Sequence, residues 1–108
     1  MTDYTTLGDL EQAHDDATRA ARSRIEQAEE YVAYYRSQIH RMQDHFYEVA
    51  TRHGVVDDPG FREELQRVTE RSEENVHGAA RVIAGFEEEL AAMTVQHTHE
   101  RERLLSRM

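Results

Sequence analysis

The feature that most constrains this chain is a pair of apolar series whose steps alternate between three and four residues. The first runs Leu7, Leu10, His14, Ala17, Ala21, Ile25, Ala28, Val32, Tyr35, Ile39, Met42, Phe46, Val49 and His53. The second runs Phe61, Leu65, Val68, Ser72, Val76, Ala79, Ile83, Phe86, Leu90, Met93 and His97, and continues at Leu104 and Met108. Such steps line one face of an α-helix, and their alternation is a heptad seam. Each series carries one stutter, the first between Ala17 and Ile25 and the second near Ser72. Nothing in either favours strands. At 1.5 Å per residue each helix would be about 70 Å long. Two helices of equal length joined by a short turn fold back antiparallel and pair over their length.

The break between the series is "RHGVVDDPGF", residues 52–61, which holds the only proline and two of the five glycines. A linker, a phosphate cradle and a hairpin tip are the three readings open to it. Gly54 stands where a helix C-terminus takes a left-handed residue. Arg52 and His53 complement the negative end of the first helix. Val55 and Val56 can cover the end of the seam. Asp58 is a good N-cap and Pro59 suits the first helical position. A phosphate cradle would want more glycine and a lysine, and this loop has two aspartates instead. The hairpin tip fits best. The expected architecture is all-α: one helical-hairpin domain over 1–108, with helices at about 6–53 and 59–107 and a turn at 54–58. The first helix starts at Thr5 or Thr6, since Thr6 and Asp9 have the spacing of a capping box. Residues 1–4 are expected to be frayed.

Composition narrows the partners. With 108 residues the chain is one domain at most. Charged residues make up 32% and hydrophobic ones 38%, with a mean hydropathy of −0.87, a balance that suits thin helices burying one stripe each. A net charge of −9 repels phosphate backbones and anionic membrane surfaces, so neither nucleic acid nor membrane is expected as a partner. No apolar run approaches the roughly 20 residues of a membrane span. "MTDYTTLGDLEQ" has neither a basic nor an apolar leader region, so a cytoplasmic chain, or one exported without a cleavable signal, is expected. The absence of cysteine excludes disulfides and thiolate metal sites. All 13 basic residues are arginine, which we read as a trace of genome composition.

Several constellations could carry chemistry. His14, His53 and His97 lie on the seams, where polar residues most often set helix register. Two Glu-x-x-His motifs occur, Glu11 with His14 and Glu74 with His77. Facing pairs of such motifs build di-iron carboxylate sites, and "EENVHGAA" is similar to the metal-binding stretch of encapsulated ferritins. The register argues against a site here. With the turn centred near residue 56, residue i faces roughly 112 − i. Glu74 and His77 then face Ser37 and Gln38, which offer no carboxylate. Glu11 and His14 face Thr98 and Arg101. The two motifs lie about 40 Å apart within one hairpin. No metal and no cofactor is therefore expected, with Glu74 and His77 the candidates should a metal bind. The acidic clusters Glu26, Glu29, Glu30 and Glu87, Glu88, Glu89 are either a solvated band eased by Arg22, Arg24 and Arg81 or a patch for a basic partner. No Gly-x-Ser-x-Gly, Walker loop, His-Glu-x-x-His or Cys–His pair occurs, so no enzyme is expected.

Apolar positions extend beside the seams. Ala80, Ala84, Ala91 and Val95 flank the second, with Leu105 continuing them, and Tyr31, Tyr34 and Tyr47 flank the first. A lone hairpin buries only the strip between its helices, so these positions suggest pairing with another chain in a four-helix bundle. Tyr31, Tyr34, Tyr47, Ala84, Ala91 and Val95 are the expected partner interface. Phe46, Val49, Leu65 and Phe86 are expected to be buried within the hairpin itself.

A cysteine-free hairpin of this size, with glycine in the turn at Arg52-His53-Gly54, resembles the small helical-hairpin proteins of type VII secretion. In the WXG family the turn carries Trp-x-Gly; here the glycine is kept and the tryptophan is not, and no Tyr-x-x-x-Asp/Glu export signal follows. "FYEVATRHGVVDDPGFREEL", residues 46–65, is similar to the WXG-like proteins that accompany LXG toxins. The resemblance implies a non-enzymatic targeting factor or chaperone that binds the helical domain of a larger secreted toxin, with another helical hairpin or a second copy as further partners. A metal-binding, ferritin-like oligomer and a structural coiled-coil adaptor are the alternatives.

Overall fold

The computed structural model describes residues 6–108, and the expectations for Thr5 and for residues 1–4 lie outside it. Two helices account for the described chain: α1, Leu7–Arg52, and α2, Pro59–Arg107. They pack against each other as a helical hairpin, with no strand among the described residues. The chain divides into two compact units, each holding a stretch of both helices. The first consists of the described residues up to Gln27 together with Ile83–Met108; the second is Ala28–Val82.

Each helix end is made by local chemistry. Thr6 caps α1: its Oγ1 accepts the Asp9 N–H at 3.0 Å, and its carbonyl accepts the Leu10 N–H. At the other end Gly54 adopts a φ of 68°. The Gly54 N–H then reaches the Thr51 carbonyl and the Val55 N–H reaches that of Ala50, the paired bonds of a Schellman motif. Val55 also accepts the Asp58 N–H, closing the turn. Asp58 opens α2, with its Oδ1 on the Phe61 N–H at 3.0 Å and its carbonyl on the Arg62 N–H. Arg62 ties the loop back through Asp57 at 2.8 Å and the Val56 carbonyl.

Within each unit the seams meet, but they bury little. In the first unit Leu10 and Leu104 are buried; in the second, Ala50 and Ser72. Most other seam residues, including Ile25, Val32, Ile39, Leu65, Val76, Ile83 and Leu90, are half-buried. One facing helix covers a stripe from one side only. Ser72 tolerates burial because its hydroxyl donates to the Val68 carbonyl at 2.8 Å.

Near the turn the expected seam is wrong. Phe46 is 42% exposed, and His53 is exposed as well, while Ala50, off the heptad series, is 2% exposed. The reason is periodicity. Three turns of a straight helix take about 10.8 residues, so the residue eleven beyond Ile39 returns to the inner face, and a strict heptad drifts off it. Val49, Leu65 and Phe86, expected inside, are half-buried rather than buried. Tyr47 sets its ring edge-on to Phe61, with centroids 6.1 Å apart, so it packs within the second unit while remaining exposed. Of the two valines placed over the seam end, Val56 is half-buried and Val55 exposed.

Candidate functional site

Two kinds of feature stand out: a polar centre in the first unit, and apolar side chains left in solvent in both.

The polar centre joins the two seam histidines of the first unit. The rings of His14 and His97 stack with centroids 3.7 Å apart and planes within 9° of parallel. His14 Nε2 lies 3.1 Å from Glu100 Oε2, and the other oxygen of Glu100 accepts from Gln96 Nε2 at 3.0 Å. An ionised carboxylate only accepts, so the proton sits on Nε2 of His14. The bonds from Gln96 and His14 hold the Glu100 carboxyl below its ordinary pKa. Burial, then the neighbouring His14, hold His97 below its ordinary value, with Glu100 opposing in part. One turn further out Glu11 and Arg101 approach to 3.7 Å. Two like charges placed on the stacked rings would repel across 3.7 Å by about 1 kcal/mol under full solvent screening and roughly 4 kcal/mol at an effective dielectric of 20.

The expected facing relation accounts for this geometry. It places His14 opposite residue 98, and His97 and Glu100 straddle that position. It pairs Glu11 with Arg101 directly. Reading the histidines one at a time missed Glu100 and Gln96. The signal that could have found them is the His97-x-x-Glu100 spacing, which sets both side chains on one helix face. Arg24 sits 5.4 Å above the Phe86 ring and 3.7 Å from Glu89. It screens one half-buried aromatic and one member of the Glu87–Glu89 cluster.

In the second unit the ties between helices are neutral. Asn75 Nδ2 donates to the Tyr35 hydroxyl at 3.0 Å, and Gln43 Nε2 to Thr69 Oγ1 at 3.0 Å. Sequence reasoning singled out neither pair, because each is an ordinary polar residue until the register brings it opposite its mate. Glu74 and His77 are exposed, and among the described residues no group of three or more His, Asp or Glu is disposed to hold a metal ion.

The side chains assigned to a partner interface lie at the surface of both units. Ala84, Ala91 and Val95 are exposed in the first, together with Leu105. Tyr31 and Tyr34, 67% and 64% exposed, join Tyr47 and Val82 in the second. Beside Tyr31 a shallow groove is lined by Val32, Tyr35, Asn75, Val76 and Ala79.

These features define an all-α helical hairpin with a titratable polar centre and uncovered apolar faces. Among the described residues no helix is long and apolar enough to cross a membrane. No family model, no curated protein and no solved structure matches the chain.

Proposed function

We propose that this protein is a non-enzymatic interaction module, a targeting factor or chaperone that packs its hairpin against a helical domain of a larger secreted partner. The observation that carries this reading is the imbalance of apolar side chains. Among the described residues only Leu10, Ala50 and Leu104 are buried hydrophobic side chains, while Tyr31, Tyr34, Tyr47, Val82, Val95 and Leu105 stand in solvent. Exposed aromatic anchors beside small residues suit docking of another helix, because alanines permit close approach and tyrosines contribute area at low entropic cost. The resemblance to hairpins that escort LXG toxins supplies the biological setting: export of a helical toxin domain by type VII secretion.

The test is co-purification of the tagged chain with the products of its neighbouring genes, followed by light scattering on the isolated complex. A stoichiometric complex with a helical protein, abolished by Ala91→Glu or Tyr34→Glu, is the expected result. A chain that stays monomeric beside all its neighbours, or whose complexes ignore both substitutions, overturns the reading.

A further inference from the structure

We propose that the outer face of α2 in the first unit is the contact with a second copy of this chain, the two α2 helices running antiparallel with Ala91 of each set against Val95 of the other.

That face repeats the spacing of the seam. Ala84, Glu88, Ala91, Val95, Thr98, Glu102 and Leu105 follow one another in steps of four and three, so they form a second stripe, turned away from the one that meets α1. Every one of them is exposed, Val95 at 56% and Leu105 at 45%. The stripe covers about 32 Å of helix. Two such stripes interdigitate when helices pair. If Ala91 faces Val95, then Glu88 faces Thr98 and Ala84 faces Glu102. Each alanine then meets a longer side chain, and Ala84 leaves room for the stem of Glu102 to run out to water. On one flank Ala92 meets its own counterpart, and on the other Thr94 does, so nothing bulky holds the helices apart.

Charge selects the occupant and its direction. Glu87 and Arg101 lie seven residues to either side of Thr94 and share its flank. Antiparallel pairing sets Glu87 of each copy against Arg101 of the other, twice over by symmetry, with Glu88 beside the same guanidinium. Among the described residues neither Glu87 nor Glu88 forms an ion pair within the chain. Arg101 approaches Glu11 only to 3.7 Å and keeps 56% of its side chain exposed. Parallel pairing would instead set glutamate on glutamate and arginine on arginine. A uniformly basic helix would satisfy Glu87 and repel Arg101, and a uniformly acidic one would do the reverse. The face calls for a helix with acid before an apolar pair and base after it, and α2 itself carries that pattern. The inference deepens the reading above and rests on it in taking Ala84, Ala91 and Val95 for an interface. It uses residues of the first unit alone and leaves Tyr31, Tyr34 and Tyr47 to the larger partner.

The experiment is sedimentation equilibrium of the full chain by itself at about 0.15 M salt, where charge is screened beyond about 8 Å. The wild type should be a dimer. Glu87→Arg and Arg101→Glu, each checked for helicity by circular dichroism, should each dissociate about tenfold more readily, the size of two exposed ion pairs lost together. An equimolar mixture of the two variants should regain wild-type affinity, because each offers the other the opposite charge at both contacts. The chain has no cysteine, so Glu87→Cys mixed with Arg101→Cys gives a second readout should a charge-reversed variant fail to fold. Under a mild oxidant the mixture should cross-link between the two variants, and neither should cross-link alone. A monomeric wild type, folded charge variants that associate as the wild type does, a mixture no tighter than its components, or cysteine variants that cross-link as readily alone would each overturn the proposal. The larger partner is tested by co-purification instead, so a failure of self-pairing is distinct from a failure of that reading.

Discussion

Val55 donates its backbone N–H to the Ala50 carbonyl at 2.9 Å, and this bond closes the end of α1 only because Gly54 between them takes a left-handed conformation with φ 68°. No atom lies within 4 Å of where a Cβ would stand at Gly54. The cost of a side chain is therefore conformational alone. Gly54→Ala should lose about 1–2 kcal/mol, and Gly54→Asn less, because asparagine visits this region more readily. Chemical denaturation of both variants checks the order; equal losses would point to a steric clash instead.

Asp58 holds the start of α2 through the Phe61 N–H. Asp58→Ala should cost about 1 kcal/mol, and Asp58→Asn much less, since asparagine caps nearly as well. At Gly60 a new Cβ would come within 3.0 Å of the capping oxygen Asp58 Oδ1. Gly60→Ala should then fall short of the gain normally won by replacing glycine in a helix, and thermal melts of the three variants measure both effects.

Phe86 and Phe46 share the same heptad logic but not the same burial. Phe86 is half-buried under Arg24, whereas Phe46 is exposed. Phe86→Ala should cost about 2–3 kcal/mol, below the full-burial range because the ring keeps some solvent contact, and Phe46→Ala about 1 kcal/mol or less. Urea titrations giving the reverse order would show that the end of α1 carries packing not seen in the single chain, such as a partner over Phe46.

Stability should fall with acid in two stages. The folded pKa of His97 lies below its ordinary 6.5, so the unfolded chain takes up this proton first. The contribution of neutral His97 is complete above pH 6.5 and is lost as pH falls through its lowered value. Glu100 is depressed from 4.5, so its contribution is complete above that and is lost at still lower pH. Melting curves followed by circular dichroism should show little change from pH 8 to 7 and decline below 6.5. Glu100→Gln should flatten the lower stage; a wild-type melt that is unchanged down to pH 5 would show that the His97 environment does not govern stability.

Ala91 is exposed on the first unit and lies off the heptad series. Ala91→Glu should leave helicity and melting temperature of the isolated chain nearly unchanged, since glutamate is a good helix former. It should break association, because a longer charged side chain blocks close helix approach. Sedimentation velocity of wild type and variant, alone and with a partner, separates the two properties. Unaltered association would mean the alanine stripe serves helix propensity only.

The helices and their join were legible in the residues themselves. Thr6 with Asp9, Gly54, Asp58 and Pro59 act through bonds spanning a few positions, so their chemistry can be read without knowing what lies across the hairpin. The three-and-four spacing likewise marks which face of each helix turns inward. Burial near the turn was not legible, because heptad counting and true helical pitch diverge slowly, and by Ala50 the inner face had moved one position past the expected seam. The polar centre needed more still. His14, His97 and Glu100 stand on different helices, 83 and 86 positions of chain apart in the two cross-helix pairings. Their contact depends on the turn length and on the summed pitch of everything between. About 20° of rotation per heptad, accumulated along α1 and α2, decides whether two imidazoles stack on each other or face water, and only the packed pair of helices determines that sum.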